Sequence, residues 1–436
     1  MNSSFTKKIL LFLFFTLLLP STLMAQSERK LIVRNNRAGS MEELFPKEKW
    51  DQARTIIISG PLNGTDIAFL RSLLSSGNVS VTLDMLHARI VSGGNKYYQL
   101  LFPNYTSSGI IGENMFRDCR GLYSIILPRE TRTIEERAFS GCTSLRVVEV
   151  SDQLRRIEQS AFYGCSSLTT INLEVARGLQ VIDVKTFDGC RELRTVAIPS
   201  SVHTIGRQAF NGTLVEKVFL PRSLKTLGEE AFQNSHLKTL DLPAGTTIAG
   251  NKLGNLPYLE SVSVESGNAN YMVEDGVLFT IDGLTLLKYP SLKRGNYAVR
   301  AGVQKIANGA FMNCVVLTSV VLPPTVTSIG ENAFYYCKAM TNVNVPDAVT
   351  HIGEKAFYDC KSLSELIIPE GILSLGTKFA YGCKRLNRLV MMSPTPPSTK
   401  KVTDSKAVLY VPAGSVGAYQ AADGWKKIKN IQEINF

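Results

Sequence analysis

Phenylalanine returns along this chain at a nearly fixed interval. Phe116, Phe139 and Phe162 lie 23 residues apart, Phe187 follows after 25, Phe210 after 23 and Phe232 after 22. The series resumes with Phe311, Phe334 and Phe357, again 23 apart. No other feature constrains the fold so strongly. A unit of this length has one apolar edge and no second layer of its own, so it must stack on copies of itself and bury that edge in a continuous column.

The unit behind each Phe is specific. Seven of these Phe follow Ala, and the last copy reverses the order as Phe379-Ala380. Cys comes three residues on, at 119, 142, 165, 190, 314, 337 and 360, with Cys383 in the same phase and Thr213 and Ser235 in that place in two coils. Three residues further stands Leu or a near equivalent. An apolar pair closed by Pro follows, as in Leu363, Leu366, Ile368 and Pro369. Period-2 alternation predicts a half-buried strand, and Pro369, having no N–H, ends it. Val349, Ile352 and Gly353 restart the pattern; Gly353 permits a bend that a Cβ would hinder. The stretch 354–358 is long enough for one helical turn.

The Ala-Phe-x-x-Cys-x-x-Leu unit resembles the BspA-like class of bacterial leucine-rich repeats, strongly from about residue 110 to residue 393. It departs from the commoner leucine-rich pattern, in which Asn or Cys follows the strand, so the usual Asn ladder is not expected. The resemblance implies an α+β repeat solenoid. This would be a right-handed leucine-rich-repeat stack of about 23-residue units, with short strands on one face and short helical turns on the other. Residues 26–109 read as an N-terminal capping region with irregular repeats, from runs such as Ile56-Ile57-Ile58 and Val81-Thr82-Leu83. Residues 394–436, opened by Pro394-Thr395-Pro396-Pro397, read as a C-terminal cap, since solenoid ends expose apolar edges. Between about 265 and 302 the unit is missing, and Asp282-Gly283 between two apolar runs predicts a hairpin island.

Residues 1–25 read as a secretory signal: Lys7 and Lys8, an apolar run from Ile9 to Leu19, then a small-residue exit at Ala25. An uncleaved anchor is the alternative, although the run is short for a span of about 20 residues. No second apolar run of that size occurs. The expectation is a secreted or cell-surface protein without a transmembrane segment, the periplasm remaining open. The formal net charge of +11 is scattered, with acids beside bases as at Glu135-Glu136-Arg137. That argues against a nucleic-acid binder, which concentrates charge on one face, and leaves an acidic glycan or anionic surface open.

Eight Cys recurring once per coil, and interchangeable with Ser or Thr, read as small buried free thiols. In-register pairing in an oxidising compartment is the other reading. Metal-ligand, phosphate-loop and nucleophile motifs are missing. His87, His203, His236 and His351 read as solvated variation, and Asp84 with His87 as part of a cap turn. No catalytic residue, metal or cofactor is expected, and the chain reads as a non-enzyme.

The resemblance implies a surface or secreted module binding host proteins, other bacteria or glycans, and a monomer is expected. The alternative is a periplasmic or surface scaffold or carbohydrate-binding accessory. Alternate strand residues point away from the core. The central outward position reads Ile126, Glu149, Asn172, Ala197, Phe219, Asp241, Ser263, Val321, Asn344, Ile367 and Val390. Phe219, Val321, Ile367 and Val390 put large apolar groups where water is expected, which marks a candidate ligand face; a plain solvated face is the other reading. Tyr289, Lys293 and Arg294 on the island are expected at its rim.

Overall fold

The computed structural model describes residues 29–75, 80–100, 102–404 and 406–434; the leader read from the sequence lies outside them. Most coils contribute two strands, and those at 193–198 and 215–220 keep only the shorter one. The longer one follows the Cys-x-x-Leu step, and its copies pair in parallel at the N-terminal end: Lys30–Arg34, Thr55–Leu62, Val81–Ile90, Leu122–Ile126, Val147–Glu149 and Thr170–Ile171. The shorter one is the two-residue step before Gly, for example Thr204–Ile205 or His351–Ile352. Its copies form one seven-stranded sheet before the island, and after it four of them extend the island's three strands into a second seven-stranded sheet. The result is a β-solenoid whose more continuous sheets are made by its shortest strands.

The glycine of the Ile-Gly step is required by closeness rather than by bending. A Cβ on Gly353 would lie 2.4 Å from the backbone nitrogen of Glu331 in the preceding coil, a distance that real Cβ atoms do not reach. Behind it the Phe rings stack face to face, with centroids 5.1–5.4 Å apart from Phe116 to Phe232 and 4.8–5.2 Å apart from Phe311 to Phe357. All of these rings are buried. Burial of one Phe contributes about 1.5–3 kcal/mol.

The helical turns expected around Ala-Phe do not form. The residue before Ala and the residue before Cys are both left-handed, as at Arg137 (φ 54°) and Gly141 (φ 76°), or Lys355 (φ 53°) and Asp359 (φ 55°). A left-handed residue interrupts the right-handed α run. The amides freed from i→i−4 bonding reach the next coil instead: Phe139 N–H donates to the Ala161 carbonyl (2.8 Å) and Gly141 N–H to that of Tyr163 (2.8 Å). This face is therefore a ladder of turns, and the helix content of the solenoid is small.

Helix occurs mainly at the ends. Gly64–Ser75 packs Ile67, Leu70 and Leu74 inward. The buried Asp66 carboxylate at its start accepts the amides of Gly39 (2.6 Å), Met41 (3.0 Å) and Asn63 (3.0 Å). At the other end Val408–Val411 adds in parallel to Arg388–Met391, and Val416–Ala421 follows. The buried Trp425 indole donates to the Pro397 carbonyl (2.9 Å) and the Tyr419 hydroxyl to that of Ser393 (2.8 Å).

The island is a three-stranded antiparallel meander, Tyr271–Glu274, Val277–Thr280 and Thr285–Lys288. Asp275 (φ 51°) and Gly276 (φ 75°) turn its first corner, the geometry of a two-residue hairpin loop. The hydrophobic core divides here: Leu278 and Leu287 belong to the preceding cluster, Val277, Phe279 and Leu286 to the following one.

Candidate functional site on the strand face

The register of the long strands sets which outward residues are neighbours. Ile32, Ile57, Asp84, Ile126 and Glu149 align from strand to strand, Asp241 aligns with Ser263, and Ala298 aligns with Val321. Ile367, Val390, Tyr410 and Gln432 form a last row. The outward position is therefore divided among four sheets and is not one unbroken ladder.

Asparagine is one cause of the division. Asn344 accepts the Leu322 amide (2.7 Å) on its Oδ1 and donates from Nδ2 to the Leu322 carbonyl (2.8 Å). Asn172 accepts the Val150 amide in the same way (2.7 Å). Each side chain takes the backbone partners that a longer strand would use, and the strands Asn342–Val343 and Thr170–Ile171 stop just before it. These two Asn serve the fold.

Three of the four apolar candidates face water. Phe219 is 74% exposed, Val321 57% and Ile367 44%. Phe219 stands apart, with the Lys217 ammonium 4.7 Å from its ring centroid. Val390 does not face water: it is 3% exposed, flanked in register by Ile367 on one side and by Tyr410 from the C-terminal segment on the other. Beside this row Arg388 pairs with Glu365 (2.8 Å) and lies over the Tyr410 ring (5.2 Å). The sequence signal for Tyr410 is the alternation in Leu409-Tyr410-Val411, which stands beyond the proline-rich break and outside the repeat.

Tyr289 is not at a rim. It is fully buried, with its ring 5.2 Å from Phe311 and 4.9 Å from Tyr297, and its N–H donates to the Ala310 carbonyl (2.9 Å). It is the member of the ring column for its coil. Burial pushes its phenol up to about 12, so it stays protonated at neutral pH. Lys293 is half-buried, its ammonium bonded to the Asp275 carbonyl and lying 5.7 Å and 5.6 Å from the Tyr289 and Tyr297 ring centroids. Arg294 is exposed. The expected rim thus reduces to Arg294 and the outer side of Lys293.

All eight Cys are free and buried. The Cys142 and Cys360 thiols donate to the Phe116 and Phe334 carbonyls of the preceding coils (2.9 and 3.1 Å). Burial raises the Cys142 thiol well above its usual range, which disfavours its thiolate. Asp84 turns its carboxylate to the Leu86 amide (3.0 Å), and His87 is exposed. Among the described residues no cluster of three His, Cys, Asp or Glu is placed to hold a metal ion.

The repeating coil agrees with comparison to known proteins. A family model described as a BspA type leucine-rich repeat region matches residues 97–175, 172–274 and 295–401, in six copies. The chain belongs to the BspA type leucine-rich repeat family. Among solved structures, the fold is similar to that of the pneumococcal vaccine antigen PcpA, at 20% identity over 86% of this chain and 92% of that one, TM-score 0.58. It is also similar to a leucine-rich cell surface protein from Faecalibacterium prausnitzii, at 24% identity over 78% of this chain and 86% of that one, TM-score 0.52. No curated protein matches the chain in sequence. The BspA type match begins at residue 97, and among the described residues no helix is long and apolar enough to cross a membrane.

Proposed function

We propose that this protein is a secreted or surface-exposed binding module that holds a protein partner on its strand face, as an adhesin does. The observation that carries the reading is the pair of exposed apolar side chains, Val321 and Ile367, on the strand face of the C-terminal half. Ile367 continues in register to Tyr410, and the Arg388–Glu365 pair stands beside that row. Exposed apolar side chains near an aromatic ring and an arginine have the makeup of interface anchors. Membership in a solenoid family, whose long surfaces suit binding, supports it, as do the two structural neighbours described as an antigen and a cell surface protein. Phe219, Lys293 and Arg294 are proposed as outlying contacts.

The test is a screen of the secreted chain against immobilised extracellular-matrix proteins, repeated with Ile367→Asp and Phe219→Asp. The reading expects Ile367→Asp to abolish retention at an unchanged melting temperature, with a smaller loss for Phe219→Asp. Retention equal to wild type in both variants removes the strand face from consideration. Protease treatment of intact cells separates a surface protein, which is cleaved, from a periplasmic scaffold, which is not.

A further inference from the structure

The turn face carries a notch that no part of the proposed strand-face function uses. The other coils place a short turn ahead of the ring on this face, as at Glu229-Glu230-Ala231 and Glu331-Asn332-Ala333. The coil leaving the meander lacks one: it runs directly through Lys288-Tyr289-Pro290-Ser291, all buried. Its neighbours close over it, and Asn313 Nδ2 donates to Asn255 Oδ1 (2.7 Å) across 58 residues of sequence. The missing turn leaves a depression of about 420 Å³ between the coils at 230–234, 252–255, 308–312 and 331–332. That volume lies within the range of small-ligand sites.

Two of its lining residues are tied together by a buried cation. The Lys288 ammonium donates to the carbonyls of Gly254 (3.0 Å) and Gly309 (3.2 Å), two residues that line the notch from opposite sides. The walls are amides and carboxylates, among them Gln233, Asn255, Asn308, Asn332, Glu230 and Glu331. Amides present donors and acceptors together and carboxylates present acceptors alone, a set that matches hydroxyl groups, each of which donates and accepts. An anion would meet Glu230 and Glu331, and a metal ion or an amine would meet Lys252, itself paired with Glu229 (3.5 Å), with the Lys288 ammonium bonded to two lining carbonyls. Met312 is the apolar exception, enough for one C–H face and too little for a lipid or an aromatic drug-like ligand.

We propose that this notch binds one ring of a neutral saccharide, with the rest of the glycan running over the turn face. The inference is independent of the strand-face reading. The test is an array of neutral and acidic oligosaccharides probed with the secreted chain, followed by calorimetric titration with a neutral oligosaccharide that it retains. Gln233→Leu and Glu331→Leu should each weaken binding about tenfold or more, while Ile367→Asp leaves it unchanged. Chemical-shift changes confined to the Asn308 and Asn332 side-chain amides would report the same site without a substitution. The proposal is overturned by retention of sulfated or uronic glycans alone, by no retention of neutral ones, or by equal affinity in folded forms of both notch variants. Loss in Ile367→Asp alone assigns the glycan to the strand face and likewise overturns it.

Discussion

Residues 110–264 and 295–393 are built from the same coil, yet the junction between them is made differently from the junctions within them. Inside each stack the backbone does the joining: Phe116 to Ala138, Phe139 to Ala161, Phe311 to Ala333 and Phe334 to Ala356 all bond amide to carbonyl at 2.7–2.8 Å. At the meander side chains do much of the joining, beside the Leu292 amide's bond to the Leu259 carbonyl (3.0 Å). Asn268 Nδ2 donates to the Pro243 carbonyl (3.0 Å) and Asn270 Nδ2 to that of Thr246 (3.2 Å), while the Tyr271 hydroxyl accepts the Ile248 amide (2.7 Å). Lys288 holds Gly254, and Asn313 holds Asn255. A repeat unit specifies its own neighbour through backbone geometry that any copy supplies. A seam between two arrays has no repeating partner and needs individual residues, each with its own donor or acceptor.

The largest effect should test whether the two stacks are equivalent. Phe162→Ala and Phe334→Ala each remove a buried ring from a column of nearly equal spacing, and each should cost about 3–5 kcal/mol in denaturant unfolding. A loss below about 1 kcal/mol in one of them would show that the columns are not equivalent.

The next effect belongs to the seam and depends on pH. Burial disfavours the Lys288 ammonium and lowers its pKa from 10.5 to about 8 in the folded chain. Between about pH 8 and 10.5 the unfolded chain therefore binds the extra proton, so stability rises with pH in that window, by up to about 3 kcal/mol. Below about pH 8 the penalty is present in full. Lys288→Met should flatten this rise relative to wild type; parallel curves for the two proteins would refute the role given to the ammonium.

A smaller seam effect is expected from Tyr271→Phe. It leaves the Ile248 amide without its partner and should cost about 1–3 kcal/mol, read as a lower unfolding midpoint. At the bottom of the scale, Lys338→Ala removes an exposed ammonium 4.6 Å from the Tyr336 ring centroid and should shift stability by less than about 0.5 kcal/mol. A Lys338 effect as large as that of Tyr271 would erase the distinction between a surface contact and a seam bond.

The stack and its ring column were legible because the signal repeats. The turn conformation was not: a five-residue stretch around Ala-Phe fits one helical turn or a run of turns equally well. The choice is made by inter-coil bonds such as that from Gly141 to Tyr163. Tyr289 was misplaced because Lys288 stands where the motif has Ala, although its distance of 22 residues from Phe311 was the interval that should have assigned it. The helix Gly64–Ser75 announced itself through Asn63 and Asp66 ahead of Ile67, Leu70 and Leu74, a start signal hidden among irregular runs. Of the candidate face, Phe219, Val321 and Ile367 could be read from alternation alone. Val390 could not, because what covers it arrives from the separate C-terminal segment.

The column Asp188, Asn211, Asn234, Asn255 and Asn313 passes one amide bond from coil to coil, at 2.7–3.1 Å, and its last link steps over the recessed coil. Seen mechanically, that link is a tie across a joint. Tension along the stacking axis is shared within each array by rows of backbone bonds. At the joint it falls on a few side chains, the Leu292–Leu259 backbone bond and the packing of Leu278 and Leu287, which can let go one at a time. A molecule held at one end and pulled at the other should therefore part first into two intact rods rather than unravel from a tip, and a single-molecule force trace should show one early rupture followed by two longer unfolding runs.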